Sequence, residues 1–406
     1  MERVANVFLV LTVVLAGCGA APSTTPTISP SPEETVSPTT AGPPSVTVNT
    51  TGFDLPVNTT NVWLRTLDLH GLNPGNVEPP EVVGGPPKNG TQQFDISRKL
   101  YDINDPRFDI DDLDFGERLG VDQARLEVER GEPFGGTFPG GVKIHPNGGT
   151  SDEIEATLVH EYAHYLQDLV GTDQLLRRAT AEGGATYVEK AYAQQYLDDV
   201  DPVRDLRRQY ANTKKGGTAL WIGLYYFGYR HFEQRIDSSD EVWAVYEAPP
   251  ETFEQLMHGL APDEEPRGVL NVSVDSTGPT QTVSMGELFL QTTLRTELER
   301  PVASDAATGW ANDRLVVFAD RDVYAWTIRM DDESNASELQ TALRSYLDAK
   351  ATYDGTVWTA EQTAYRLVRA SDETLVLVVG NRGQVENMTV SGSDESVTIT
   401  IDAASR

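Results

Sequence analysis

The sequence predicts an α+β fold built from two structured parts, and three observations support this prediction. Helical patterns dominate from Asp152 to about Leu260. After Pro266 strand patterns alternate with helical ones, which is typical of an α+β domain. The chain has 406 residues, 39% of them hydrophobic, so it is long enough for two or three domains with buried cores. We therefore expect a mostly helical first part at 49–265 and an α+β companion domain at 266–406.

The helical part begins at a defined point, because Thr150 and Glu153 are spaced as a capping box in which the threonine hydroxyl accepts from the glutamate amide. Just before it, Gly141–His145 predicts an edge strand that can bind an extended peptide. Helices are predicted at 152–170, 173–199, 203–212, 217–236, 239–247, 251–258, Met285–Leu298 and Ser337–Lys350, with an earlier one at Gln93–Tyr101. Strands are predicted at Leu270–Val274, Arg314–Phe318, Val323–Met330, near Thr356, and at Tyr365–Val368, Thr374–Val379 and Val397–Ile401.

The charge balance excludes one class of partner. The chain has 32 basic and 62 acidic residues, which gives a formal net charge of -30 at pH 7. Nucleic-acid binding needs a basic surface along the phosphates, so DNA and RNA are not expected partners. The acidic residues are spread along the whole sequence, which favours a solvated surface suited to high salt, as in halophilic proteins. An ordinary acidic secreted protein is the alternative.

The N terminus has the pattern of an export signal. The apolar run Val4–Leu15 follows a short charged segment and is shorter than the about 20 residues of a membrane span. The four residues that end at Cys18 resemble the lipobox of exported lipoproteins, in which the cysteine becomes the first mature residue and carries the lipid. We expect a signal peptide at 1–17 and a lipid anchor on Cys18, with the protein on the extracellular face of the cell membrane. A plain cleaved signal with an accidental cysteine is the alternative.

A low-complexity segment follows the signal. Residues from Ala20 to about Pro44 are nearly all Ser, Thr, Pro, Ala and Gly, so 18–48 is expected to form an extended stalk. Cys18 is the chain's single cysteine, so no intramolecular disulfide can stabilise the fold. If the chain is exported, its Asn-x-Ser/Thr sequons are available for glycosylation. They begin at Asn49, Asn58, Asn89, Asn271, Asn335 and Asn387.

The most informative motif is His160-Glu161-Tyr162-Ala163-His164, an H-E-x-x-H pattern in a chain with only six histidines. Positions i and i+4 share one helix face, so both imidazoles can bind one Zn2+ ion while Glu161 lies beside them as general base. Packed or capped histidines in an ordinary helix are the alternative. The pattern predicts a catalytic zinc site.

Catalytic zinc needs a third protein ligand and keeps its fourth position for water. Glu182 is our candidate, because small residues around it let its helix approach the first helix closely. Glu189, seven positions further on the same helix face, is the competing ligand, although a supporting or surface role suits it better.

The reaction also needs a donor for the developing oxyanion. Candidates lie in an aromatic helix and in a later segment: Tyr225, Tyr226, Tyr229, His231 and His258. Of these we select Tyr226, His231 and His258, while core packing is the alternative for the tyrosines.

Taken in order, these motifs resemble the exported gluzincin-like zinc metallopeptidases of archaea and bacteria, which include haloarchaeal surface lipoproteins. The matching segments are His160–Asp168, Glu182–Tyr187, Tyr226–Tyr229, Pro249–His258 and Gly309–Arg314. The resemblance covers about residues 60 to 380. It implies a zincin-like core with zinc on His160, His164 and Glu182. The chain departs from the family pattern at Gly259, where a proline is usual, and at Asn312, where a glycine is usual.

These observations predict a cell-surface, zinc-dependent peptidase. Its substrate is a peptide or protein, cleaved by a zinc-activated water with Glu161 as general base. The alternative is a catalytically inactive surface protein with the same fold that binds a partner or takes part in envelope assembly. Retention of Glu161 favours the enzyme, because a structural zinc site has no use for a base.

Overall fold

The computed structural model describes residues 46–86, 91–95, 114–121, 125–168, 175–213, 216–276, 278–318 and 320–401. The signal peptide, Cys18 and most of the predicted stalk lie outside these residues, as does Asn89. The described chain combines helices with mixed sheets, so the predicted α+β class is confirmed. No helix in this part of the chain is both long and apolar enough to span a membrane.

The described helices are α1 (Thr59–Leu69), α2 (Phe115–Arg118), α3 (Ser151–Asp168), α4 (Leu175–Tyr196), α5 (Pro202–Asn212), α6 (Gly216–Arg235), α7 (Val242–Glu247), α8 (Phe253–His258), α9 (Glu287–Arg295), α10 (Arg300–Ala307), α11 (Glu333–Lys350) and α12 (Arg382–Asn387). The strands are β1 (Thr50–Gly52), β2 (Glu81–Gly84), β3 (Gln92–Asp95), β4 (Arg125–Val128), β5 (Phe134–Phe138), β6 (Gly141–His145), β7 (Asn271–Asp275), β8 (Thr280–Val283), β9 (Trp310–Phe318), β10 (Val323–Met330), β11 (Thr352–Tyr353), β12 (Trp358–Ala360), β13 (Thr363–Arg369), β14 (Thr374–Gly380), β15 (Met388–Gly392) and β16 (Ser396–Ile401).

The strands form four sheets in the described part of the chain. The first has the order β1-β2-β6-β5, in which only the β6–β5 pair is antiparallel. The companion part contains an antiparallel seven-stranded sheet of order β11-β12-β13-β14-β10-β9-β8 and a three-stranded sheet of order β15-β16-β7. Strands β3 and β4 form a separate antiparallel pair. Helix α3 packs against the β5–β6 end of the first sheet, which places the metal-binding motif next to an edge strand.

Buried side chains form three clusters. One lies between the first sheet and helices α1, α3 and α4, and Val48 is part of it although the stalk is predicted to reach that residue. A second lies between the seven- and three-stranded sheets. The third and largest joins α6 and α8 to α9, α11 and the seven-stranded sheet. Because this cluster contains residues from both sides of the predicted boundary at 265/266, that boundary stays a prediction.

A short segment from the first part is anchored in the companion part. Phe115 and Leu119 are buried in the largest cluster. The hydroxyl of Tyr346 donates to Leu119 O at 2.7 Å, and that of Tyr365 donates to Arg118 O at 2.7 Å. These hydrogen bonds satisfy carbonyl groups at the end of α2 that have no partner within so short a helix.

Most of the predicted helices and strands are confirmed within two or three residues, and two details are wrong. Gln93–Asp95 belongs to β3, where the prediction has a helix, because pairing with β4 outweighs the local pattern. Residues 96–101 of that predicted helix lie outside the described part. Strand β6 has the predicted bounds but lies between β2 and β5, so the edge strand is β5.

The buried imidazole of His70 makes stability depend on pH. His70 Nδ1 donates to Thr66 O at 2.7 Å, and its Nε2 has no hydrogen-bond partner among the described residues. Burial lowers the pKa of His70 from its ordinary 6.5 to about 4. Because the unfolded chain takes up this proton at higher pH than the folded chain does, the contribution to stability is complete above pH 6.5 and is lost as the pH falls toward 4. The difference between the two pKa values corresponds to about 3 kcal/mol.

We therefore expect the free energy of unfolding to fall less steeply in His70→Gln than in the wild type as the pH is lowered from about 6.5 to about 4. Urea unfolding at a series of pH values measures this slope. Some slope remains in the variant, because burial also lowers the pKa of His231 to about 4. Identical slopes in the two proteins would contradict the prediction.

Candidate metal centre

The start of α3 is fixed by the predicted capping box. Glu153 N donates to Thr150 Oγ1 at 3.3 Å, and Thr150 N donates to Glu153 Oε2 at 2.6 Å. These reciprocal bonds satisfy two amides at the helix N terminus. The helix then continues through both histidines of the motif, which face the same side.

Three predicted ligands meet at one point. His164 Nε2 lies 3.0 Å from His160 Nε2 and 3.0 Å from Glu182 Oε2, and His160 Nε2 lies 3.3 Å from Glu182 Oε2. All three side chains are buried. Two atoms held 2.0–2.1 Å from a tetrahedral zinc ion are about 3.3 Å apart, so the spacing suits such an ion. Among the described residues, this is the one group of His, Cys, Asp or Glu side chains whose ligand atoms converge in this way.

A buried carboxylate fixes the proton on His160. Glu189 Oε2 lies 3.1 Å from His160 Nδ1, and Glu189 is itself buried. Because an ionised carboxylate only accepts, Nδ1 carries the ring proton and the lone pair of Nε2 points to the centre. Glu189 therefore does not belong to the group of candidate ligands. It orients the ring of His160, which does.

Gln167 fixes the proton on His164 in the same way. Its Nε2 donates to Ala181 O at 2.9 Å and to the hydroxyl of Tyr246 at 2.7 Å. Because a backbone carbonyl only accepts, the amide orientation is determined, and Gln167 Oε1 accepts from His164 Nδ1 at 2.8 Å. The Nε2 atom of His164 therefore also presents a lone pair to the centre.

Three acceptor atoms that converge at one buried point can be stabilised by a cation. Without one, protons replace it: burial lowers the pKa of His160, but hydrogen bonds to Glu182 and Glu189 outweigh burial and raise it to about 9. Burial raises the pKa of Glu182, and the two histidines more than offset this and hold it well below its usual range. The donor set of two imidazoles and one carboxylate can hold a metal ion.

Glu161 is buried beside these ligands and lacks a hydrogen bond. Neither of its carboxylate oxygens has a partner in the described part of the chain. A Cβ on Gly135 would lie 2.7 Å from Glu161 Cγ and 2.9 Å from Oε1, so the edge strand β5 lies directly against this side chain. Burial raises the pKa of Glu161 to about 8 against the opposing effect of His164. A buried carboxylate with no protein partner is costly, which is typical of a group kept for chemistry.

Glycines allow Glu182 to reach the histidines. A Cβ on Gly183 would overlap the backbone of Gly228, and a Cβ on Gly228 would overlap the carbonyl of Ala179. Helices α4 and α6 therefore touch backbone to backbone. On the next residue, a Cβ on Gly184 would overlap the hydroxyl of Tyr246. The predicted role of small residues around Glu182 agrees with this packing.

On α6, Tyr225 rather than Tyr226 reaches the centre. The Tyr225 hydroxyl donates to Glu182, and its ring stacks on that of His160 with centroids 6.5 Å apart. Burial raises the pKa of Tyr225 well above its usual value, and the Glu182 charge adds to this. Tyr226 points about 100° away around the helix and its ring stacks on that of Tyr210 with centroids 4.8 Å apart, so no described contact joins it to the ligand group and its catalytic role stays a prediction.

The two selected histidines also contact other groups. His231, about 240° around α6 from Tyr225, hydrogen-bonds the backbone of Gln255 and Leu256 in α8. His258 Nε2 lies 3.0 and 3.2 Å from the carboxylate oxygens of Glu287 in α9. The structure thus does not bring either histidine to the metal ligands. The remaining candidate, Tyr229, donates to Glu233 at 2.6 Å.

Comparison with known proteins gives one match. Residues 274–389 fit the model of a domain of unknown function, DUF8575. The matched region runs from the end of β7 to the start of β15 and contains none of the metal ligands. No curated protein and no solved structure matches the chain.

Replacing the group that orients His164 should weaken metal binding. In Gln167→Leu the shape is nearly kept, but His164 Nδ1 loses its acceptor, so we expect the affinity for zinc to fall about 10- to 100-fold. Competition with a chromophoric chelator measures this affinity. An unchanged affinity would show that Gln167 does not orient the ligand.

Proposed function

We propose that this protein is a zinc-dependent peptidase. The observation that carries the proposal is the unpartnered carboxylate of Glu161 beside a cluster of three ligands. Three protein ligands are typical of catalytic zinc, because the fourth position is kept for water or substrate. A His2Glu donor set supports zinc over magnesium or calcium, which prefer oxygen ligands.

Bound zinc would polarise the scissile carbonyl and lower the pKa of a water molecule. Glu161 then accepts a proton from that water and returns it to the leaving amine. Glu189 and Gln167 keep the ring protons of the two histidines on the Nδ1 atoms during this cycle. Tyr225 holds the Glu182 carboxylate in place through its hydroxyl. Burial of these groups keeps bulk water away from the reacting atoms.

The edge strand β5 supports a peptide as the substrate. Gly135 lies against Glu161, and Gly136 follows it, so neither residue has a side chain to keep a substrate backbone away. Within the described chain β5 pairs with β6 alone, which leaves its other edge for β-addition by an extended peptide. We propose this strand, in place of β6, as the one that aligns the substrate.

The second candidate function is a catalytically inactive surface protein that keeps the metal for stability or binding. Glu161 argues against it, because a purely structural zinc site has four protein ligands and needs no base. In either case we propose that the N-terminal signal directs export. We also propose that a lipid on Cys18 anchors the protein to the extracellular face of the cell membrane.

Metal analysis tests the proposal. We expect one zinc ion per chain in the purified wild type and none in His164→Ala, since two protein ligands hold zinc weakly. His145→Ala is the control, because His145 stacks on Phe134 away from the ligands, and it should keep its zinc. The zinc-loaded protein should cleave an unfolded polypeptide, lose this activity to a chelator and regain it with zinc. A wild type that binds no metal when zinc is supplied would contradict the proposal.

A further inference from the structure

The chain contains more glycosylation sequons than chance predicts. It has 15 asparagines, six of which begin an Asn-x-Ser/Thr sequon. Serine and threonine together make up 61 of the 406 residues, so chance gives only about two sequons for this number of asparagines. The metal centre uses none of them. The structure shows which of these asparagines a modifying enzyme can reach.

Asn387 is one exposed acceptor, and it shares that exposure with Asn49, Asn58 and Asn271. It is exposed at the end of α12, where the chain leaves the helix for β15. Its side chain makes no hydrogen bond with the described residues, and the same holds for the hydroxyl of Thr389, which is also exposed. Both groups that define a sequon are therefore available together on the surface.

Asn49 is the second accessible acceptor. It is exposed just before β1, and only its backbone carbonyl is engaged, by Val82 N at 2.9 Å. The sequon hydroxyl of Thr51 donates to the exposed carboxylate of Glu81 at 3.1 Å, a contact that water can replace. The sequon lies in extended chain near the first described residues, and all three of its residues are exposed, so a bulky group here meets solvent.

The other described sequons are engaged in structure. Asn335 is half-buried in the first turn of α11 and donates to Thr308 O at 3.5 Å, while Ser337 donates to Glu333 O at 2.7 Å. At the start of α1, the Asn58 side chain accepts from Asn61 N at 3.0 Å, and Thr60 Oγ1 accepts from Val48 N at 3.0 Å. Asn271 is exposed, but its Nδ2 donates to Glu395 O at 3.4 Å, so the acceptor amide is already engaged. Asn58 and Asn335 lie at helix N termini, and Asn58 is itself the N-cap of α1, so its side chain cannot rearrange without breaking that cap.

We propose that Asn387 and Asn49 are N-glycosylated in the folded, exported protein, whereas Asn58, Asn271 and Asn335 stay unmodified. In the transfer, the Asn Nδ2 atom forms a bond to C1 of a saccharide carried on a lipid diphosphate. The bond from C1 to the phosphate oxygen breaks, the lipid diphosphate leaves with the electron pair, and Nδ2 loses one proton. A membrane-bound transferase catalyses this transfer from the lipid-linked donor, and no oxidation or reduction takes place.

Glycopeptide mass spectrometry on the full chain, purified from the cell envelope of its own organism, tests the proposal. We expect a saccharide on the peptides that contain Asn387 and Asn49, and only unmodified peptides for the other three sites. Recovery of Asn387 and Asn49 solely in unmodified form would overturn the proposal. Equal occupancy of Asn335 would also overturn it, because accessibility would then not select the sites.

Substitutions in the sequon provide matched controls. Thr389→Ala should abolish the saccharide on Asn387, whereas Thr389→Ser, which keeps the hydroxyl, should retain it. Both variants leave the asparagine and the β15 backbone unchanged, and a urea unfolding curve of each reports whether the chain is folded. The result does not depend on hydrolysis, so a failure here is distinct from a failure of the proposed peptidase function. A saccharide that persists in Thr389→Ala would exclude sequon-directed transfer at this site.

Discussion

In Glu161→Gln, hydrolysis of an unfolded polypeptide is expected to fall by about 100- to 10,000-fold while one zinc ion per chain is retained. Glutamine has the same shape as glutamate but cannot accept the proton of a zinc-bound water. The metal ligands are untouched, because Glu161 makes no hydrogen bond to any described residue. Activity on a fluorogenic peptide library and zinc content, measured on the same preparation, check this result.

Glu247→Gln is the control for this change. Glu247 is exposed at the end of α7, on the surface of the molecule, and the same change of charge there should leave hydrolysis and zinc content as in the wild type.

Two outcomes separate the peptidase from the inactive surface protein. A Glu161→Gln protein that hydrolyses peptides at the wild-type rate would exclude Glu161 as the base. A wild type that holds zinc but cleaves no peptide would favour the inactive surface protein.

The convergence of His160, His164 and Glu182 could be predicted because its geometry is mostly local. The i, i+4 spacing on one helix places His160 and His164 on one face whatever surrounds the helix. Glu182 is less local, but the small residues next to it indicate a close helix contact, and the structure has that contact. The start of this helix could be predicted for the same reason, because the capping box joins Thr150 to Glu153, only three positions apart.

The surroundings of the ligands could not be predicted as well, because they depend on how helices face each other. Tyr225 and Tyr226 are adjacent in sequence and differ only in the direction in which they leave α6. His258 was selected as a catalytic group, but its partner Glu287 belongs to a helix after the predicted boundary. Only the packing of α6, α8 and α9 decides these contacts, and no sequence pattern encodes it directly.

The secondary structure also contains elements that the local sequence predicts and elements that depend on distant contacts. Several long helices and strands agree with prediction, whereas other elements are absent from it. Helix α10 was missed although Pro301 stands in its first turn, where proline is favoured, and this signal could have found it. Strand β8 was missed because its residues Thr280–Val283 become a strand only through pairing with β9. The zincin-like core and the boundary at 265/266 stay predictions.

The close contact of α4 with α6 leads to the second prediction of large effect. Helix α4 supplies both Glu182, a candidate metal ligand, and Glu189, which contacts the candidate ligand His160. Helix α6 supplies Tyr225, which holds Glu182. A Cβ on Gly228 would overlap the carbonyl of Ala179 and lie 3.0 Å from the Cα of Gly183. Both neighbours are backbone atoms, so no side chain can rotate to make room.

In Gly228→Ala the two helices must therefore separate, and Glu182 moves away from the histidines on α3. We expect zinc to be lost from the purified protein, together with about 3 kcal/mol of stability from overpacking. Zinc analysis and urea unfolding in the presence of a chelator measure the two effects separately. Gly383→Ala in α12 is the control, because a Cβ there has an ordinary contact of 3.6 Å with Asn381 Oδ1. If Gly228→Ala keeps a full zinc complement, the close contact between α4 and α6 is not what holds Glu182 at the metal, and the prediction is wrong.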